Sequence, residues 1–173
     1  FSEHTVGNLF LYRKVHEYIA LQKNDELLIK GVTYDKISFI MPLTNFYDEN
    51  SLIQIAHDAN VQMIYPIDES FWSRFQELGC TINWTPSDSD YMYSRHAIQT
   101  LSGRILAKKK NLYSQFTNTT NWKILPLDEL SFLDAYEFLN LWYKERPDSE
   151  DMEAMYDGLR FFEELHLLGW IIY

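Results

Sequence analysis

Cys80 is the only cysteine in 173 residues, which excludes an internal disulfide and any site built on several thiolates. No apolar run approaches the roughly 20 residues that a membrane-spanning helix requires, and no signal-peptide pattern opens the chain. A reducing, cytoplasmic setting is the expectation. His4, His16, His57, His96 and His166 are scattered, and none pairs with an acid or with Cys80 at ligand spacing. Each is expected to be a surface or capping residue, and neither a metal nor a cofactor is expected. The most informative absence is of acid. Between Tyr91 and Leu127 there is no Asp or Glu, although the chain holds 25 of them and has a formal charge of -10.

That acid-free stretch carries Arg95, Arg104, Lys108, Lys109, Lys110 and Lys123, six of the 15 Lys and Arg residues. Segregated basic charge marks a place where an anion, commonly a phosphate, is held, or else a solvated helix face that offsets an acidic remainder. A helix opened after Gly103 would put Ile105, Leu106, Leu112, Tyr113 and Phe116 on one stripe with Lys109 in its middle. A lysine there must snorkel, meet an acceptor or line a polar pocket between two packed bodies. A bend at Lys108 to Asn111 is the plainer alternative. Tyr91 and Tyr93, alternating on a strand, would face one side, either into the core or against a base or sugar.

Hydrophobic residues make up 46% of the chain and aromatics 16%, which predicts an aromatic-rich globular protein. The length suits one full domain and part of another. The chain opens at Phe1 without an initiator methionine and stops in the apolar run Trp170 to Tyr173, so the expectation is a fragment of a longer protein.

In order, the pattern predicts an amphipathic helix over Glu3 to Arg13 and then an antiparallel meander: Val15 to Gln22, a turn at Lys23-Asn24-Asp25, Glu26 to Val32, and Ile37 to Met41. Asp48 or Asn50 caps a helix carrying Leu52, Ile53, Ala56 and Ala59. Val61 to Tyr65 reads as a buried strand. Asp68 caps a helix with Phe71, Trp72, Phe75 and Leu78, stopped by Gly79. Thr81 to Trp84 and Asp90 to Tyr93 read as strands. Beyond the basic helix come a strand over Trp122 to Leu127, a cap at Asp128, helices over Leu130 to Lys144 and about Glu150 to Leu168, Gly169 as a stop, and a terminal strand. The acids at Asp148, Glu150, Asp151 and Glu153 complement a helix dipole.

This order resembles the Gcn5-related N-acetyltransferase-like α+β fold, a mixed sheet flanked by helices, followed by the start of a second such domain. The divisions expected are residues 1–94 for the first domain, 95–121 for a basic connecting helix and 122–173 for the truncated second. In acetyltransferases of this fold the loop after the meander is glycine-rich and grips a pyrophosphate. Here that loop, Pro42 to Glu49, has no glycine and two acids, which disfavours coenzyme A in the first domain.

Asp90-Tyr91-Met92-Tyr93, Leu101, Gly103-Arg104, Lys109-Lys110-Asn111 and Phe116, followed by Trp122 and Pro126, resemble the signature of the phosphatidylglycerol lysyltransferase C-terminal domain family. Val6-Gly7-Asn8-Leu9-Phe10 and the segment from Phe162 to Gly169 fit it as well. A similar basic helix joins the paired domains of the Fem aminoacyltransferases of bacterial cell-wall synthesis. The resemblance implies aminoacyl transfer from aminoacyl-tRNA to a phospholipid headgroup or a cell-wall precursor, with no role for DNA. Arg104, Lys108, Lys109 and Lys110 would lie near phosphates, and Asn111 would orient a partner by hydrogen bonding. Catalysis would work by positioning and charge stabilisation, because no activated nucleophile is visible. This fragment alone is expected to be inactive. A non-catalytic module that holds tRNA, a nucleotide sugar or a phospholipid headgroup on the basic helix is the second reading.

Overall fold

The computed structural model describes residues 2–23, 26–44, 48–86, 89, 92–128 and 130–173. Helix α1 (Val6–Tyr12) starts where the Thr5 hydroxyl accepts the Asn8 amide, satisfying one of the donors that every helix start leaves open. The meander follows as β1 (Ile19–Lys23), β2 (Glu26–Val32) and β3 (Ser38–Pro42). Its first strand is shorter than the alternation predicts. Residues 13–17 instead form a tight turn, with Glu17 at φ 52° and the Tyr18 amide bonded to the Arg13 carbonyl. Of the turn expected after it, Asn24 and Asp25 lie outside the described residues.

β1, β2 and β3 pair antiparallel, and β4 (Met63–Ile64) joins β3 in parallel. A parallel neighbour needs a crossover, and α2 (Glu49–Asp58) supplies it, capped by Asp48 through the Ser51 amide at 2.9 Å. Successive strand residues point to opposite faces, so the sheet builds two cores. Leu28 and Ile40 pack with Leu52 and Ile55 of α2 and Phe75 of α3 (Trp72–Glu77) on one face. Ile29, Phe39 and Met41 form the other, against which Leu9 of α1 and Tyr18 pack. Burying each such aliphatic side chain contributes about 1.5–3 kcal/mol. Lys30 closes the α2 C-terminus by donating to the Ala59 carbonyl at 2.8 Å. Asp68 caps the short 3-10 turn that leads into α3, Gly79 takes φ 85° after it, and Cys80 packs on the first core.

Thr81 to Trp84 is not a strand. Ile82 turns to the core while Trp84, 54% exposed, leans on Trp72 at 6.4 Å and donates to Ser89. Among the described residues, side-chain packing is what holds this segment. Met92 and Tyr93 are not in a strand either, and Asp90 and Tyr91 lie outside the described residues.

The segment expected to be one connecting helix contains two, α4 (Arg95–Thr100) and α5 (Ala107–Thr119). Leu101 at φ 46° and Gly103 at φ 90° break the chain between them. After α5, β5 (Ile124–Pro126) pairs antiparallel with β6 (Trp170–Ile172), and α6 (Phe132–Lys144) and α7 (Met152–Arg160) lie between them in sequence. Asp128 accepts the Leu130 and Ser131 amides ahead of α6. The last helix ends at Arg160, well before the predicted Leu168. Gly169 serves close approach and is no helix stop: a β-carbon there would meet Leu127 Cδ2 at 3.1 Å, and its carbonyl takes the Leu127 amide.

His16 departs from the expectation of a surface or capping residue. Its ring is half-buried among Tyr12, Tyr18 and Tyr34 at 5.9, 5.4 and 4.8 Å, and Nδ1–H donates to the Val32 carbonyl. Nothing in its sequence neighbourhood announces this, because Val32 arrives from the end of β2 and Tyr34 from the turn after it.

Candidate functional site: the basic segment

The acid-free segment begins at α4, where the Ser94 hydroxyl accepts the Ala97 amide at 3.1 Å. After the break at Leu101 to Gly103, residues 104–106 turn into α5, and the Lys110 amide reaches the Leu106 carbonyl at 2.9 Å. No acidic residue and no capping side chain occupy the first turn of α5. Its amide donors and its lysines therefore present positive potential together. Arg104, Lys108, Lys109, Lys110 and Asn111 are all exposed. Among the described residues none of these four cations forms an ion pair; the pairs that exist lie elsewhere, at Arg13, Lys14, Lys23, Lys36, His57 and Arg74.

Helical geometry separates the three lysines by about 100° each, so they fan over most of the helix circumference. Leu106 is buried and Thr117 is half-buried, and the two fall on one side of the helix. Of the stripe expected to be covered, Leu106 is buried and the rest is open: Ile105 is 90% exposed, and Leu112, Tyr113 and Phe116 are exposed too. The Lys109 side chain stands on that open stripe in solvent, and no second body covers it among the described residues. Tyr93 is exposed beside the start of α4, and Tyr91 lies outside the described residues.

Two neighbours that the sequence reading did not single out as site residues join this surface. Trp122 lies 6.1 Å from Phe116, ring to ring, and Lys123 sits over the Tyr173 ring at 4.7 Å. The Lys123 and Tyr173 backbones pair with each other, so β5 and β6 position both groups. Their signal in sequence was their place at the end of the acid-free run.

In the loop from Pro42 to Glu49, Asn45, Phe46 and Tyr47 lie outside the described residues. Asp48 puts its carboxylate on the α2 N-terminus, and Glu49 pairs with Arg74 at 2.9 Å. Hydrogen bonding at its own helix start and the Arg74 side chain hold the Glu49 carboxyl below its ordinary range. The α2 N-terminus thus meets an approaching anion with negative charge. Among the described residues no group of three His, Cys, Asp or Glu side chains could hold a metal ion, and no helix is long and apolar enough to cross a membrane.

The fold and this surface define an α+β protein in which a basic, acid-free pair of helices joins a four-stranded sheet to a second region of two helices and a two-stranded sheet. The match to known families is complete in extent. Residues 1–173 match the family described as phosphatidylglycerol lysyltransferase, C-terminal, and the chain belongs to that family. It is also similar in fold to a conserved protein of unknown function from Bacteroides thetaiotaomicron VPI-5482, seen in a crystal structure, with a TM-score of 0.79 at 19% identity. That match covers 99% of this chain and 62% of the other, so the chain spans less than two thirds of that protein's length. No curated protein matches.

Proposed function

We propose that this chain is part of an aminoacyltransferase-like protein that moves an aminoacyl group from aminoacyl-tRNA to a lipid headgroup or a cell-wall precursor. Residues 1–94 serve as a first Gcn5-related acyltransferase-like domain, residues 95–121 as the basic connection, and residues 122–173 as the opening of a second such domain. The observation that carries the reading is the exposed cation set Arg104, Lys108, Lys109 and Lys110, without an ion pair among the described residues, in a chain whose family is named for lysyl transfer to phosphatidylglycerol. These cations hold phosphates of the donor or acceptor, and Asn111 orients one of them by hydrogen bonding. The catalytic groups act by positioning and charge stabilisation in the completed protein.

The test is turnover of radiolabelled aminoacyl-tRNA by the full-length protein on phosphatidylglycerol vesicles and, separately, on a cell-wall precursor. The Lys108→Ala/Lys109→Ala/Lys110→Ala variant is expected to lose about tenfold or more in kcat/KM at low salt, with the loss shrinking as rising salt screens the native lysines. Full activity in that variant would refute the role of the helix.

The fan of the three lysines favours one further reading, a non-catalytic module that spreads an anionic partner along α5. It calls for tRNA or headgroup binding without turnover. Replacing three phosphate contacts would then flatten the dependence of log K on log salt by about 2 for single-stranded RNA.

A further inference from the structure

α1 touches both halves of the molecule. Leu9 packs into the face of the sheet formed by Ile29, Phe39 and Met41. Its other side meets α7: Phe10 and Phe161 make an edge-to-face contact at 5.0 Å, and Leu11 lies 3.7 Å from where a β-carbon on Gly158 would stand. At its C-terminal end Arg13 donates from Nη2 to Asp157 Oδ2 at 2.9 Å. Its guanidinium lies 3.8 Å from the centre of the Phe10 ring and also donates to the Phe10 carbonyl. Asp157 is 3% exposed, so its charge is withdrawn from water and depends on this partner. Lys14 adds contacts to Glu153 at 2.5 Å and Asp157 at 3.5 Å, on the solvent side. α5, in contrast, buries none of its residues.

We propose that α1 is a wedge between the two halves and that the Arg13–Asp157 pair is its lock, fixing how the sheet half and the helical half sit against each other. The chain connection through α4 and α5 does not set that orientation. A buried pair of this kind contributes specificity of geometry rather than net stability, since two well-packed apolar groups would serve stability as well. The tyrosines on either side of the seam extend the contact. Burial and then the Asp151 carboxylate push the Tyr12 phenol up, and Asp151 also accepts the Tyr143 hydroxyl at 3.3 Å.

The test is amide hydrogen exchange on the full-length protein, comparing the native chain with Asp157→Asn. Amides of α1 and α7 are expected to exchange about tenfold faster or more, while those of β2 and β3 keep their protection, because the seam opens without unfolding the sheet. Unchanged protection in α1 would overturn the proposal, and so would an equal loss in β2 and β3. Arg13→Lys supplies a second reading, since an ammonium keeps the charge but cannot donate as a fork while lying flat on Phe10; the same pattern, at about threefold, is expected. Failure of both variants to fold would overturn the lock as well, because the pair would then hold the whole molecule and not the seam.

Discussion

A β-carbon at Gly31 would come within 2.8 Å of Tyr18 Cδ1, 3.0 Å of the His16 carbonyl oxygen and 3.0 Å of Phe39 Cζ. Two of these atoms belong to rings packed in the core and one to backbone, so none can yield cheaply. Gly31→Ala is expected to destabilise the protein by about 1–3 kcal/mol, read as a drop in the urea midpoint at constant slope. Gly7 in α1 has nothing within 4 Å of that position, so Gly7→Ala is expected to stabilise by about 0.5–1 kcal/mol. Equal effects from the two would contradict the packing described. The tyrosines give a pH dependence of fixed sign. Burial first, and then Glu3 and the neighbouring phenols, push Tyr18 up to about 12; burial and then Asp151 do the same for Tyr143. A folded value above the ordinary 10 favours the protonated phenol in the native state. This stability is present in full below pH about 10 and is lost as pH rises towards about 12. The urea midpoint is expected to fall across that window, in step with phenolate absorbance, and Tyr143→Phe is expected to flatten the fall. A midpoint constant through the window would rule this out.

At the scale of elements, what could be read from sequence was local chemistry. Asp48, Asp68 and Gly79 act where capping and helix-stop rules place them, and the antiparallel meander followed by helix, strand and helix came from alternation and 3.6-residue periodicity. The errors were cases where distant residues decide. His16 is enclosed by Tyr34, which arrives from another turn, and Gly169 is required by Leu127 and not by a helix end. Thr81 to Trp84 has strand composition, but it joins neither sheet among the described residues. α5 shows both sides of this. Its helix and its basic character are local and were legible; what covers its apolar stripe is not encoded within the helix. A helix of 13 residues with none buried is marginal by itself in water. In residues 1–173 prepared alone, α5 amides are therefore expected to exchange faster than those of α2, which buries Leu52 and Ile55. Protection in α5 equal to that of α2 would mean that the helix is held by contacts other than those seen here.

For the whole molecule, the two regions differ in how well their apolar surface is covered. The sheet region has helices on both faces and two closed clusters of core residues. In the second region α6 has a polar side, made by Asp134, Glu137, Asn140 and Lys144, but its apolar residues extend beyond the side it buries. Phe132 meets Phe162 at 5.5 Å and Tyr143 is buried, yet Leu133, Phe138, Leu141 and Trp142 on its remaining sides are exposed, as are Trp170 and Ile172 on β6. An apolar arc wider than the side a helix buries is normally covered by a further element, and a two-stranded sheet needs further strands or helices to persist. Phe138 and Trp142 lie ring to ring at 6.0 Å, and large exposed apolar side chains grouped in this way mark an interaction surface. If this surface belongs to a second domain completed by further chain, residues 1–173 prepared alone will bind an apolar dye and self-associate as concentration rises. Phe138→Lys with Leu141→Lys will then suppress both while leaving the urea midpoint of the sheet region unchanged, since neither side chain enters its core. The full-length protein will bind little dye without any substitution. A monomeric, dye-silent 1–173 would show that α6 needs no cover, and the division at residue 122 would then have no physical basis.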